Sequence, residues 1–220
     1  MIGGDWISRP RTKWKRKSKM KKIAMAVLAV MLGSSASFAV EVDLTGSLGY
    51  GYLLNSIAMI NGSATKGKIE ILVQALTTNP DDENLKYGIE SGYMPLYSLS
   101  DVLGSDLTAK YTVTSIPLMG LVKYGLGDTT AIKTGEYYPY VIGGLGFHFV
   151  TSALSMTMPG LTLESSETKT YFGSTLGGGI RYRASEKVDL DLSIRYNTIN
   201  ADDTVNVFNI LMGVGFRPSF

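Results

Sequence analysis

From about residue 41 to the C-terminus the chain alternates between apolar and small or polar side chains. In 204–220 (TVNVFNILMGVGFRPSF), Phe208, Ile210, Met212, Val214, Phe216 and Phe220 share one parity. Val205, Val207, Asn209, Leu211, Gly213, Gly215, Arg217 and Ser219 share the other. This is the period of a β-strand, in a segment long enough to cross a bilayer at a tilt, for which about 9–11 residues suffice. The pattern predicts seven more strands at about 41–54, 66–77, 84–98, 110–126, 137–152, 170–184 and 188–199, separated by Gly, Asn, Asp and Pro clusters. The first sets Val42, Leu44, Leu48, Tyr50, Tyr52 and Leu54 against Asp43, Thr45, Ser47, Gly49 and Gly51. The seventh sets Val188, Leu190, Leu192, Ile194 and Tyr196 against Asp189, Asp191, Ser193, Arg195 and Asn197. The facing of 137–152, rich in Tyr, Gly and Phe, is ambiguous, and no helix-period segment of convincing length follows Val40.

Alternation alone fits a soluble barrel or a membrane barrel. The placement of charge separates them: the charged residues share their parity with the glycines, whereas the other parity is a continuous Leu/Ile/Val/Tyr face. Glycine makes room inside a narrow barrel and an apolar face suits lipid. The fold expected is an all-β, eight-stranded antiparallel up-and-down transmembrane β-barrel. Tyrosines near strand ends (Tyr50, Tyr52, Tyr87, Tyr97, Tyr124, Tyr137, Tyr182) are candidates for interfacial girdles. With a periplasmic N-terminus, the long connection 153–169 falls outside the cell, either as a contact loop for a ligand, host surface or neighbouring barrel or as a hairpin extension.

Charge and composition refine this picture. The chain has 21 Lys and Arg against 19 Asp and Glu, but nine of the basic residues lie in 1–39 beside one acid, so 40–220 is acidic by about six charges. No role in nucleic-acid binding follows. Lys21 and Lys22 precede the apolar run Ile23 to Leu32, and Ser37 and Ala39 supply the small residues of a signal-peptidase site. Cleavage is expected between Ala39 and Val40, dividing the chain into an N-terminal extension with signal peptide (1–39) and a barrel domain (40–220). The apolar run is shorter than the roughly 20 residues of a spanning helix, which makes an N-terminal anchor the weaker alternative. Met20 is a natural start for such a signal. With no cysteine, thiolate metal sites, disulfides and lipoprotein anchoring are excluded.

Four runs, in order, carry a family resemblance: Tyr138-Pro139-Tyr140-Val141-Ile142-Gly143-Gly144-Leu145-Gly146-Phe147; Gly177-Gly178-Gly179-Ile180-Arg181-Tyr182; Leu192-Ser193-Ile194-Arg195-Tyr196; and Gly213-Val214-Gly215-Phe216 ahead of Phe220. Together they resemble the bacterial outer-membrane β-barrel family of the OmpA transmembrane-domain, OmpX and OmpW type. Pro218 departs from the usual apolar or aromatic strand residue. The resemblance implies the outer membrane of a Gram-negative cell envelope, contact with outer-membrane lipids and lipopolysaccharide, and help from periplasmic chaperones and the outer-membrane insertion machinery. Phe216 and Phe220 would be the assembly signal. A monomer is expected.

The candidate chemistry lies on the inward parity. A turn at Ala184–Lys187 brings Arg183 beside Asp189 and Arg181 beside Asp191, with Arg195 a layer above. Arg217 is expected to meet Asp43 or Glu41 where the barrel closes, and Lys68, Glu70, Lys86, Glu90 and Lys123 would extend the network. These ion pairs either fill a closed barrel or line a narrow solute path. Eight-stranded outer-membrane enzymes act on lipid A, but here the lone His148 lacks the His-x-Ser arrangement of the deacylases and fits a rim or girdle residue. Asp202-Asp203 fits a tight turn, and no catalytic residue, metal or cofactor is implied. The expectation is a closed, charge-filled barrel with a structural or surface-interaction role. The alternative is a narrow channel for small or hydrophobic solutes, and a secreted lipid-binding barrel is a third.

Overall fold

A computed structural model describes residues 42–54, 63–65, 67–102, 107–127 and 132–217. The chain divides into a unit Met1–Val40 and a unit Glu41–Phe220, and every described residue belongs to the second. Ala39, Val40, Glu41, Pro218 and Phe220 therefore lie outside the described residues.

The strands are β1 (Val42–Leu53), β2 (Ser63–Thr65), β3 (Gly67–Asn79), β4 (Asp82–Val102), β5 (Thr108–Gly125), β6 (Tyr137–Met158), β7 (Leu161–Arg183), β8 (Val188–Asn200) and β9 (Val205–Phe216). Every pairing is antiparallel. The ring runs β1-β3-β4-β5-β6-β7-β8-β9 and closes through β9 on β1, with β2 added to the upper end of β4. The eight-stranded barrel predicted by alternation is thus formed, with β2 a short segment beside the ring.

Side-chain direction follows parity. On β8, Asp189, Asp191, Ser193, Arg195 and Asn197 are buried while Leu190, Leu192, Ile194 and Tyr196 are exposed. On β6, Tyr138, Tyr140, Ile142 and His148 face inward and Val141, Leu145, Phe147 and Phe149 outward, which settles the strand whose facing the sequence left open. In a water-soluble fold the exposed set would be unfavourable; against lipid it is the required surface.

Two aromatic pairs bracket this surface on β6 and β7: Tyr137 and Tyr182 (ring centroids 4.7 Å apart) at the lower edge, Phe147 and Phe172 (6.1 Å) at the upper. Ten residues of strand separate Phe172 from Tyr182, roughly 33 Å along the strand and about 25 Å of height at a 40° tilt, the thickness of an outer-membrane apolar band. Of the expected girdle tyrosines, Tyr50, Tyr52, Tyr87, Tyr124 and Tyr137 are exposed. Tyr97 departs from that expectation: it is partly buried, packs against an interior apolar cluster and lies 6.0 Å from Tyr111, because a bulge between Pro95 and Tyr97 re-aims the strand.

The 153–169 connection is not a loop. β6 and β7 run on as a paired hairpin to Met158 and Leu161, turned by Pro159 and Gly160.

The wall is irregular around β4. Gly67–Glu70 of β3 pair with β1, but the ladder from β3 to β4 begins only at Ile71 with Tyr93. On the other side, Gly92 and Tyr93 have no ladder partner in β5, opposite Ile116 and Pro117. Pro95 and Pro117 lack the N–H a continuous ladder needs.

Candidate functional site in the lumen

The lumen is layered. Its lowest layer is organised around Arg181, 1% exposed, on β7. Its Nη1 donates to Asp43 on β1 at 2.5 Å and its Nε to Asp191 on β8 at 3.2 Å, with Asp189 at 3.6 Å; Nη2 reaches the Thr45 hydroxyl at 3.1 Å. Each carboxylate has a further cation. Lys86 on β4 lies 3.0 Å from Asp43, and Lys123 on β5 lies 3.2 Å from Asp191 and 3.5 Å above the Tyr140 ring. Arg217 donates to Asp189, and Arg183 stands 3.6 Å from the same residue. Tyr138 and Tyr140 on β6 donate to Asp189 (3.1 Å) and Asp191 (2.7 Å). Three anions and five cations, from β1, β4, β5, β7, β8 and the segment after β9, thus cross the lower end. Burial of such charges is tolerable only where each is paired and hydrogen-bonded, which this arrangement provides.

The β7–β8 register sets Arg183 opposite Asp189 and Arg181 opposite Asp191. Arg217 is a correction: its guanidinium bonds Asp189 rather than Asp43, because it extends toward β6 and β8, where the Tyr138 hydroxyl accepts from it at 3.3 Å; Glu41 lies outside the described residues. Arg195 sits in a separate middle layer, 2.6 Å from Glu90, which also accepts from Gln74 at 2.6 Å. Glu70 carries no ion pair among the described residues; the Asn209 amide donates to both its oxygens at 2.6 Å, and Asn197 donates in turn to Asn209. Lys68 likewise has no ion pair among the described residues.

Glycines make this filling possible. A Cβ at Gly179 would stand 2.6 Å from the Tyr140 hydroxyl, and one at Gly177 2.9 Å from Arg195 Cγ. The large side chain of one strand lies over its neighbour's glycine.

His148 is the second correction. It is not a rim residue but is 1% exposed inside the barrel, hydrogen-bonded through Nδ1 to Ser115 Oγ at 3.0 Å, with its ring over Gly173. Nε2 has no hydrogen-bond partner among the described residues, so no carboxylate holds this Ser–His pair in the geometry acyl transfer requires. The described residues contain no group of three or more His, Asp or Glu able to hold a metal. Above His148 the lumen turns apolar: Leu53, Leu96, Val113, Ile199 and Val207 form a cluster with Val150, Tyr111 and Tyr171 against it. Alternation marked these residues as inward but gave no sign that the upper layer differs from the lower.

The family described as outer membrane protein beta-barrel domain matches residues 23–217. This chain belongs to that family. It is accordingly a β-barrel protein of the Gram-negative outer membrane, and its exposed belt is its lipid face. Solved barrels of similar architecture include a major outer membrane protein of Thermus thermophilus (TM-score 0.50, 13% identity, 80% of this chain and 99% of that one). Others are Neisserial surface protein A (0.48, 15%, 80% and 97%) and OprG of Pseudomonas aeruginosa (0.48, 12%, 83% and 97%). At such identities the likeness is one of fold. No curated protein matches the chain in sequence. Within the outer-membrane barrel, Phe216 lies on the lipid face, paired with Leu44 and Val188 where β9 joins β1 and β8.

Proposed function

We propose that this outer-membrane barrel is closed to ions and serves as a rigid membrane anchor for its extracellular hairpin, with a structural or surface-interaction role and no reaction of its own. The observation that carries this is the Arg181 cage. It ties β1, β4, β5, β6, β7 and β8 together across the periplasmic end, and its buried members leave no row of solvated charges for an ion to follow. In the same proposal, residues 1–39 are removed after Ala39 during export. Periplasmic chaperones and the insertion machinery, which reads Phe216 and Phe220 as the assembly signal, deliver a monomer, and lipopolysaccharide surrounds the folded belt. The deciding experiment is conductance of refolded 40–220 in planar bilayers, with folding checked by heat-shifted gel mobility. A silent bilayer is expected. Reproducible steps that change with Arg181→Ala would refute closure.

One observation favours a second role. The apolar cluster Leu53, Leu96 and Val113 lies beside the interrupted β3–β4 ladder, as a narrow route for a hydrophobic solute through the wall would require. Uptake of a lipophilic dye into vesicles carrying the barrel, lost on sealing the gap with a cross-link between β3 and β4, would support that route.

A further inference from the structure

Five cations cross the lowest layer of the lumen on three carboxylates, so the described residues leave it two positive charges in excess. Buried charge without a counter-charge is unfavourable, and a bound anion relieves it. Two guanidinium groups of this layer also have an N–H to give. Arg217 donates to Asp189 and, at 3.3 Å, to the Tyr138 hydroxyl, both through Nη2, while its buried Nε–H has no acceptor among the described residues. Arg183 uses Nη1 on the Ile132 carbonyl at 2.7 Å. Its Nε stands 3.6 Å from Asp189 Oδ1, beyond hydrogen-bond reach, and this N–H likewise has no acceptor among the described residues.

Donors alone would take any oxyanion, but the same place holds acceptors without donors. Asp43 Oδ1 and Asp189 Oδ1 are buried with no hydrogen-bond partner among the described residues. Gly215 lies between them, paired with Thr45 of β1 on one side and with Asp189 of β8 on the other. A Cβ built on it would stand 3.6 Å from Asp43 Oδ1, 3.6 Å from Asp189 Cβ and 3.2 Å from Thr45 Oγ1. At Gly177 and Gly179 a neighbouring side chain lies directly over the backbone; at Gly215 none does. The side chains of Arg183 and Arg217 are partly exposed, which leaves an approach from the lower rim.

We propose that the floor of the lumen binds one inorganic phosphate ion that keeps a proton, seated over Gly215 between Arg183 and Arg217. Its bare oxygens accept from the two Nε–H groups, and its O–H donates to Asp189 Oδ1 or Asp43 Oδ1. The excess positive charge of the layer balances the ion. Sulfate is close to phosphate in size and charge but carries no proton at neutral pH, so in this seat it sets a bare oxygen against a carboxylate. The site thus selects phosphate by its hydrogen atom, and it does so whether or not the barrel conducts. Lys133, Glu136, Glu186 and Lys187, on the neighbouring turns, are exposed and screened by water.

The test uses the barrel purified from outer membranes in an uncharged maltoside detergent and dialysed free of phosphate. Its unfolding midpoint is read by heat-shifted gel mobility as phosphate, sulfate or chloride is added at matched ionic strength. Phosphate should raise the midpoint saturably, with an apparent affinity about tenfold above that for sulfate, the usual effect of leaving one buried acceptor without a donor. Gly215→Ala keeps every charge but fills the seat, and Arg217→Gln removes a donor; each should lose the preference for phosphate. Lys187→Gln, on an exposed turn, should keep it. Equal shifts with phosphate and sulfate would mean an adventitious ion only and overturn the proposal, as would no saturable shift or a preference retained in Gly215→Ala. A preference that emerges only in Glu41→Gln would show the chain's own carboxylate filling the seat, and overturns it too.

Discussion

Arg181→Ala should destabilise the barrel, and the size of the loss should depend on which carboxylate is removed with it. The arginine is shared by Asp43 (2.5 Å), Asp191 (3.2 Å) and Asp189 (3.6 Å). Breaking a buried ion pair costs about 3–5 kcal/mol, largely through the charge left behind. Here every carboxylate keeps another cation, so the low end, about 3 kcal/mol, is expected. Adding Asp43→Ala frees Lys86, whose side chain is 16% exposed and able to turn to water at the lower rim. That double variant should recover part of the loss, with a coupling of about 1–3 kcal/mol. Adding Asp191→Ala instead strands Lys123, only 4% exposed, and should recover nothing. Urea unfolding in vesicles, followed by far-UV circular dichroism and heat-shifted gel mobility, measures all three. Simple addition of the single losses in the Arg181/Asp43 cycle, or equal recovery in both cycles, would refute the cage as described.

Three further outcomes follow from the packing and the lipid face. Gly88→Ala would put a Cβ 2.0 Å from the Ala75 carbonyl oxygen, whereas Gly46 has open space. Gly88→Ala should therefore cost about 1–3 kcal/mol, while Gly46→Ala should be neutral or slightly stabilising in the same unfolding assay. Leu176, 69% exposed between the two aromatic levels, should lose about 2–4 kcal/mol as Leu176→Arg, and Ser166→Arg on the hairpin should lose almost nothing. Equal losses would move the membrane boundary. Deleting Phe220 should lower the yield of heat-modifiable barrel delivered to the outer membrane in cells; unchanged yield would remove it from the assembly signal.

The sequence by itself determined which side of each strand meets lipid, the Tyr- and Gly-rich 137–152 excepted, because a strand's period of two assigns every side chain once one charged or glycine position is known. It also determined the local pairs of the tight turn between β7 and β8, Arg183 with Asp189 and Arg181 with Asp191, since a short hairpin fixes its own register. The tertiary structure alone decided contacts made across the ring. Asp43 reaches Arg181 from 138 residues away, and Arg217 crosses to Asp189. Parity names the inner face but carries no height, and so His148 went to the interior, the upper lumen became apolar, and Tyr97 turned inward at a bulge. For the same reason the sequence left 153–169 open between a contact loop and a hairpin extension. Above the membrane the solvent changes, and the structure decides for the hairpin, with β6 and β7 paired as far as Met158 and Leu161.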